Sequence, residues 1–172
     1  MIAMPENIVL WRHAQANDIF DDDSTIKNDS VQSDLQRALT EKGQCQAADM
    51  AKWLKPKLPK DTLLQCSPAL RAFKTAEALN FKININQVLK PGASMHDVLA
   101  YITHAKAADS LLIVGHQPWL GQLAAHLIGF SDSELAIKKG AIWWLQLNKH
   151  RLADNNSAAQ YNIHTVQTPS LL

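Results

Sequence analysis

At 172 residues, 47% hydrophobic and 19% charged, the chain has the make-up of one globular domain over 1–172, which excludes a disordered or fibrous protein. A formal charge of +1 excludes a whole-protein field that would gather nucleic acid or an anionic membrane, so an anionic ligand must meet a local site. No apolar run approaches the roughly 20 residues that cross a bilayer, and no basic segment precedes a long apolar one at the N-terminus, which predicts a soluble protein of the cytoplasm.

Ile8, Val9, Leu10 and Trp11 form a short unbroken apolar run, the pattern of a strand covered on both faces, and Arg12 and His13 follow at once. From about residue 16 to 36 the chain turns acidic, with Asp18, Asp21, Asp22, Asp23, Asp29 and Asp34 and no sustained periodicity, which reads as a surface loop or lid. Its acids lack the fixed spacing and closing carboxylate of a calcium loop, which argues against a metal there. Thr40 can cap a helix in which Ala47, Met50, Ala51 and Leu54 recur at helical spacing. Gly43 is a tolerated weak point of that helix, and Pro56 and Pro59 end it.

Thr62 to Cys66 reads as a second strand, closed by Ser67-Pro68, and Ala69 to Leu79 as a helix with Phe73, Ala76 and Leu79 on one side. Ile83 to Leu89 has the look of a short edge strand, Pro91-Gly92 marks a turn, and Met95, Val98, Leu99 and Ile102 outline a third helix. Leu111 to Val114 is the strongest buried strand, followed by Gly115 and His116. Pro118 then opens a helix faced by Leu120, Leu123, Ala124 and Leu127 and ended near Gly129. Ala141 to Leu147 and Tyr161 to Val166 are closing strands joined through a turn at 150–159, predicting a hairpin at the edge of a largely parallel sheet. Cys45 and Cys66 lack CxxC spacing and fall inside regular elements, so two reduced, partly buried thiols are expected.

Chemistry-bearing residues gather at strand ends. One apolar strand delivers Arg12-His13, another Gly115-His116, and a third Ser67-Pro68 with Arg71 about a turn into the next helix. If those strands are neighbours in a parallel sheet, the side chains converge beyond its carboxyl edge, where open α/β sheets bind ligands. A neutral imidazole is a nucleophile near pH 7, and arginine grips phosphate oxygens through a fixed fork, so the set suits phosphoryl transfer. Each residue alone is more often a boundary histidine or an ion-pair partner. A zinc site from His13, His116 and a carboxylate would satisfy ligand chemistry as well, although Arg12 and Arg71 disfavour a cation there.

Leu10-Trp11-Arg12-His13-Ala14 resembles the signature of the histidine phosphatase superfamily, whose members range from cofactor-dependent phosphoglycerate mutase to acid phosphatases. Arg37-Ala38-Leu39-Thr40-Glu41-Lys42-Gly43 resembles the family's segment before its first long helix. Ser67-Pro68-Ala69-Leu70-Arg71-Ala72, with Thr75-Ala76, resembles its second signature, and Gly115-His116-Gln117-Pro118 its later histidine. With the short length, the chain is most similar to the small phosphohistidine phosphatase branch, SixA. The resemblance implies an α/β three-layer sandwich with a mostly parallel central sheet flanked by helices, as in phosphoglycerate mutase. It also implies a metal-independent phosphatase with no cofactor. On that pattern His13 would attack phosphorus and become a transient phosphohistidine, Arg12 and Arg71 would bind the phosphate, His116 would complete the pocket, and Arg37 would be a fourth contact.

Larger members place a glutamate after the second signature to protonate an alcohol leaving group, whereas here Leu89-Lys90-Pro91-Gly92-Ala93 holds no carboxylate and the next is Asp97. An imidazole already protonated from solution leaves far more readily than an alkoxide, which favours phosphohistidine over a sugar phosphate ester. The expected partner is thus a phosphorylated protein, with a histidine-containing phosphotransfer domain as candidate and inorganic phosphate as product. Two alternatives stay open: a small-molecule phosphomonoesterase using Asp18 or Asp21 as acid, and a module that binds phosphate or phosphohistidine without turnover. Of the five tryptophans, Trp119 follows Gln117-Pro118 beside the expected pocket, so Gln117 and Trp119 are candidates for the substrate approach or for packing.

Overall fold

The computed structural model describes residues 4–18, 30–104, 108–130, 134–149 and 160–172. Six strands, β1 (Asn7–Arg12), β2 (Leu63–Cys66), β3 (Ile83–Ile85), β4 (Ser110–Gly115), β5 (Ile142–Leu147) and β6 (Tyr161–Gln167), form one sheet in the order β3-β2-β4-β1-β5-β6. β1, β2, β3 and β4 run parallel, and β5 and β6 add an antiparallel hairpin beside β1. The register sets Trp11 and Cys66 on either side of Val114. The residues that follow these three, Arg12-His13, Gly115-His116 and Ser67, therefore leave the sheet along one edge.

The described residues also form five α-helices, α1 (Ser30–Leu35), α2 (Glu41–Leu54), α3 (Leu70–Glu77), α4 (Met95–His104) and α5 (Trp119–Leu127), and three short 3-10 turns. Strand side chains alternate between faces, so β1 serves two cores. Ile8 and Leu10 pack with Val98, Ile102, Leu120 and Leu123 of α4 and α5. Val9 and Trp11 pack with Met50, Ala51, Leu54, Ala72 and Ala76 of α2 and α3. The continuous apolar runs of β1 and β4 arise from this double coverage, and each large side chain removed from water contributes roughly 1.5–3 kcal/mol. The result is the three-layer α/β sandwich with a mostly parallel sheet that the sequence implies.

Several local expectations change. Ile83 to Leu89 is strand only over Ile83–Ile85, because the Asn86 side chain accepts from Val88 N and starts a 3-10 turn over Gln87–Leu89. The acidic stretch contains the short helix α1. Asp21, Asp22, Asp23 and Asp29 lie outside the described residues, as does the turn at 150–159. Gly43 is more than a weak point: a Cβ there would lie 1.9 Å from the Gln15 carbonyl oxygen, so α2 can approach the loop after His13 only with glycine. Cys66 is buried, and burial pushes its thiol up to about 12, whereas Cys45 is exposed rather than partly buried. Among the described residues no helix is long and apolar enough to cross a membrane.

Candidate active site

His13 sits just past the end of β1 with 6% of its surface exposed. Three contacts from separate elements hold its loop. Ala14 N donates to Thr75 Oγ1 (3.0 Å), and that hydroxyl donates in turn to the Arg71 carbonyl (2.7 Å), tying the loop to α3. Thr40, the N-cap of α2, donates its backbone N–H to the Gln15 carbonyl (3.0 Å) while its hydroxyl accepts from Gly43 N (3.0 Å). Behind β1, Trp11 Nε1 donates to the Gly140 carbonyl (3.0 Å), and Gly140 N donates to the His13 carbonyl (3.0 Å). Thr40, Gly43 and Thr75 are thus the scaffold that aims His13.

The tautomer of His13 follows from its partners. Nδ1 lies 2.8 Å from the Ala14 carbonyl, which only accepts, so Nδ1 carries the proton. Nε2 receives a long contact from Arg71 Nε at 3.4 Å, which requires a lone pair on that nitrogen. Burial pushes the His13 pKa down to about 3, the Ala14 hydrogen bond opposing and the positive Arg71, Arg12 and Lys139 adding to the fall. His13 is therefore neutral at pH 7, with Nε2 free to attack.

His116 is 2% exposed, and its ring centroid lies 5.0 Å from that of His13. Its Nε2 is 2.7 Å from Ser67 Oγ, while Nδ1 is buried without a hydrogen-bond partner. Burial, then neighbouring His13 and the arginines, push it down to about 2. Arg12 donates through Nη1 to the Ile137 carbonyl (2.6 Å) and leaves a buried Nε unpartnered. Burial lowers its pKa and that of Arg71, although both stay charged. An unpartnered donor on Arg12, an unpartnered ring nitrogen on His116 and the His13 lone pair, beside buried positive charge, form a site suited to an anion facing a nucleophilic nitrogen.

One anion already occupies the arginine fork. Arg71 donates through Nη1 to the Asp34 carbonyl (2.6 Å) and through Nη2 to its carboxylate (3.0 Å), and Arg37 Nη1 reaches the same carboxylate at 3.1 Å. Burial raises the Asp34 pKa, but the hydrogen bonds from Arg71 and Arg37 outweigh it and hold the carboxyl below its usual value. Asp34 was legible only as one member of an acidic run. Its spacing of three from Arg37, just past the end of α1, is the signal that singles it out. Lys139, whose field reaches His13, gives no such signal in sequence.

Of the anticipated residues, His13, Arg12, Arg71 and His116 come together, and Arg37 joins them through Asp34. Asp18 stands at the fringe, 3.9 Å from Arg37 Nη2 with its side chain 83% exposed, and Asp21 lies outside the described residues. Trp119 does not line the approach: it is fully buried, donates to the Lys90 carbonyl (3.3 Å), and fills the space where a Cβ on Gly115 would sit 2.2 Å away. Gln117 spends both ends internally, accepting from Gly121 N (2.8 Å) and donating to the Leu135 carbonyl (2.7 Å). Both are packing residues because the turn after His116 folds back onto the core. No group of three or more metal-ligating side chains occurs among the described residues.

Solved structures share this fold. A protein assigned as phosphohistidine phosphatase SixA from Nakamurella multipartitia is 24% identical over 98% of this chain and 99% of its own, with a TM-score of 0.71. Another, from Agrobacterium tumefaciens, is 19% identical over 97% and 100%, at 0.74. The protein histidine phosphatase SixA complexed with tungstate is 23% identical over 96% and 98%, at 0.71. Likeness at this level carries the fold and leaves the substrate open. No curated protein matches the sequence significantly. The profile of the Histidine phosphatase superfamily (branch 1), however, matches residues 8–94, the half of the chain that carries His13, Arg37 and Arg71. With that match and this geometry, the chain belongs to the histidine phosphatase superfamily.

Proposed function

We propose that the chain is a phosphohistidine phosphatase that acts on a phosphorylated protein through a covalent intermediate on His13. The observation that carries this is the tautomer of His13: its proton is held on Nδ1 by Ala14 O while Nε2 faces Arg71. In the first step Nε2 forms a bond to phosphorus as the bond to the substrate's imidazole nitrogen breaks, and that imidazole departs with a proton from solvent. Water then attacks the phosphohistidine, releasing inorganic phosphate and restoring His13. Arg12 and Arg71 hold the equatorial oxygens, with Arg37 behind them.

The identity of the leaving group rests on the acids near the site. The 89–93 segment has none, Asp18 is exposed, and Asp34 is held ionised by two arginines, so a leaving group that needs no enzymic acid is favoured. Beside Asp34 a cleft of about 350 Å³ is lined by Leu35, Pro68, Gln87, Lys90 and Pro91, walls suited to a flat ring carried on a protein surface. A histidine-containing phosphotransfer domain is the candidate partner.

Rapid quench with a labelled phosphohistidine protein should trap label on His13, and turnover without trapped label would overturn the covalent route. His13→Ala separates an enzyme from a binding module: chemistry disappears while tungstate still binds through the arginines. A second reading, a phosphomonoesterase, is favoured by one fact, the carboxylate of Asp34 at the fork, which could take up a proton and serve as the acid once a phosphate displaces it from the arginines that hold it ionised. An alkyl phosphate turned over faster than a phosphoramidate, with that advantage lost in Asp34→Asn, would establish it.

A further inference from the structure

Ser67 is fully buried at the end of β2 and touches two groups with its hydroxyl. Its Oγ accepts from Ala69 N (3.2 Å) and lies 2.7 Å from His116 Nε2. A hydroxyl has one proton to give, and among the described residues the acceptor within its reach is His116 Nε2. Two arrangements of protons are open to the pair. If His116 Nε2 carried the proton and donated, the Ser67 proton would have no acceptor and the buried Nδ1 lone pair no donor, leaving two polar groups unsatisfied. If Ser67 donates, only one group stays unpartnered, the N–H on Nδ1. Burying an unpaired polar group costs free energy, so the second arrangement wins by one whole group.

We propose that Ser67 donates to His116 Nε2 and thereby fixes the proton of neutral His116 on Nδ1, as a hydrogen-bond donor to the phosphoryl group passing through His13. Ser67 is then a positioning residue. It acts through His116 and touches no reacting atom, and the proposal rests on the reading of His13 as nucleophile. His116 works as a fixed donor, without transferring a proton: its imidazole is 5.0 Å, centroid to centroid, from His13 and surrounded by the positive charge of Arg12 and Arg71. A neutral donor already in place needs no reorganisation as charge moves onto the equatorial oxygens. The two histidines share one tautomer for opposite purposes. Ala14 O holds the Nδ1 proton of His13 to expose a lone pair, and Ser67 holds that of His116 to expose an N–H.

Nitrogen NMR of the imidazoles in the full chain tests the assignment without any substrate. At pH 7 His116 should show a protonated-type Nδ1 and an unprotonated-type Nε2, and the reverse pattern in the wild type overturns the proposal. Ser67→Ala should move His116 towards a mixture of tautomers, lower kcat/KM on a phosphoramidate by about tenfold, and weaken tungstate binding by a similar factor. Ser67→Thr, which keeps the hydroxyl, should restore the tautomer and most of the activity. Loss of the contact to Ala69 N alone would lower the melting temperature and leave the tautomer where it was, an outcome that also overturns the role. If the wild type turns over no phosphoramidate, the phosphatase reading falls, while the nitrogen shifts and tungstate affinities still decide the role of Ser67.

Discussion

The carboxylate of Asp34 stands 3.0 Å from Arg71 Nη2, and its backbone carbonyl 2.6 Å from Nη1 of the same guanidinium. Both terminal N–H groups that could grip a phosphate are thus engaged, one by a carbonyl and one by a carboxylate oxygen. A substrate phosphate that uses Arg71 must therefore displace Asp34. Asp34→Asn keeps the shape and removes the charge, so the inhibition constant of tungstate should fall by about tenfold at pH 7. A constant unchanged within about twofold would mean that the two anions do not share the fork.

The two histidines make the fold sensitive to acid. Both have folded pKa values lowered from 6.5, to about 3 for His13 and about 2 for His116, so the unfolded chain binds more protons below pH 6.5. Stability is fully present above pH 6.5 and is lost as pH falls towards 3, by at most roughly 1.4 kcal/mol per pH unit for each histidine. Denaturant titrations between pH 7 and 5 should show this decline, and His116→Gln should flatten it. The acid limb of kcat/KM should lie well below pH 6.5, since His13 stays unprotonated there.

At Gly43, alanine would force its Cβ against the Gln15 carbonyl at 1.9 Å, a contact between two backbones that no side-chain rotation relieves. Gly43→Ala should cost at least about 2 kcal/mol in equilibrium unfolding. Because Gln15 lies two residues beyond His13, kcat should fall as well. Unchanged stability would show that α2 and the loop can separate freely.

Trp119 gives a test of packing against substrate contact. Trp119→Phe removes the hydrogen bond to Lys90 O and leaves space beside Gly115, so the melting temperature should drop, with a cost of about 1–2 kcal/mol. The KM for a phosphoramidate should stay within about twofold. A large rise in KM with no loss of stability would return Trp119 to the substrate path.

The placement of the reactive residues was legible because two simple patterns coincide. Unbroken apolar runs such as Ile8 to Trp11 and Leu111 to Val114 suit strands covered twice, and polar residues straight after such strands leave at the sheet edge. Trp119 and Gln117 were harder, because the same position after a strand end serves a pocket or a core, and chain direction after His116 decides which. Gly43 shows the limit of helical propensity, which registers the missing side chain and is blind to Gln15 from another segment.

By itself the sequence determined the order of the main elements, the mostly parallel sheet and the gathering of Arg12, His13, Ser67 and His116 at strand ends, since these follow from local periodicity. The resemblance of the motifs to a family marked His13, Arg12, Arg71 and His116 as the candidate reactive set. Only the tertiary structure decided the tautomers of the two histidines, the capture of Arg71 by Asp34, and the service of Ser67 to His116. Each of those depends on distances between groups far apart in the chain. Separations of 37 positions from Asp34 to Arg71, and of 49 from Ser67 to His116, leave no periodic trace of the contact.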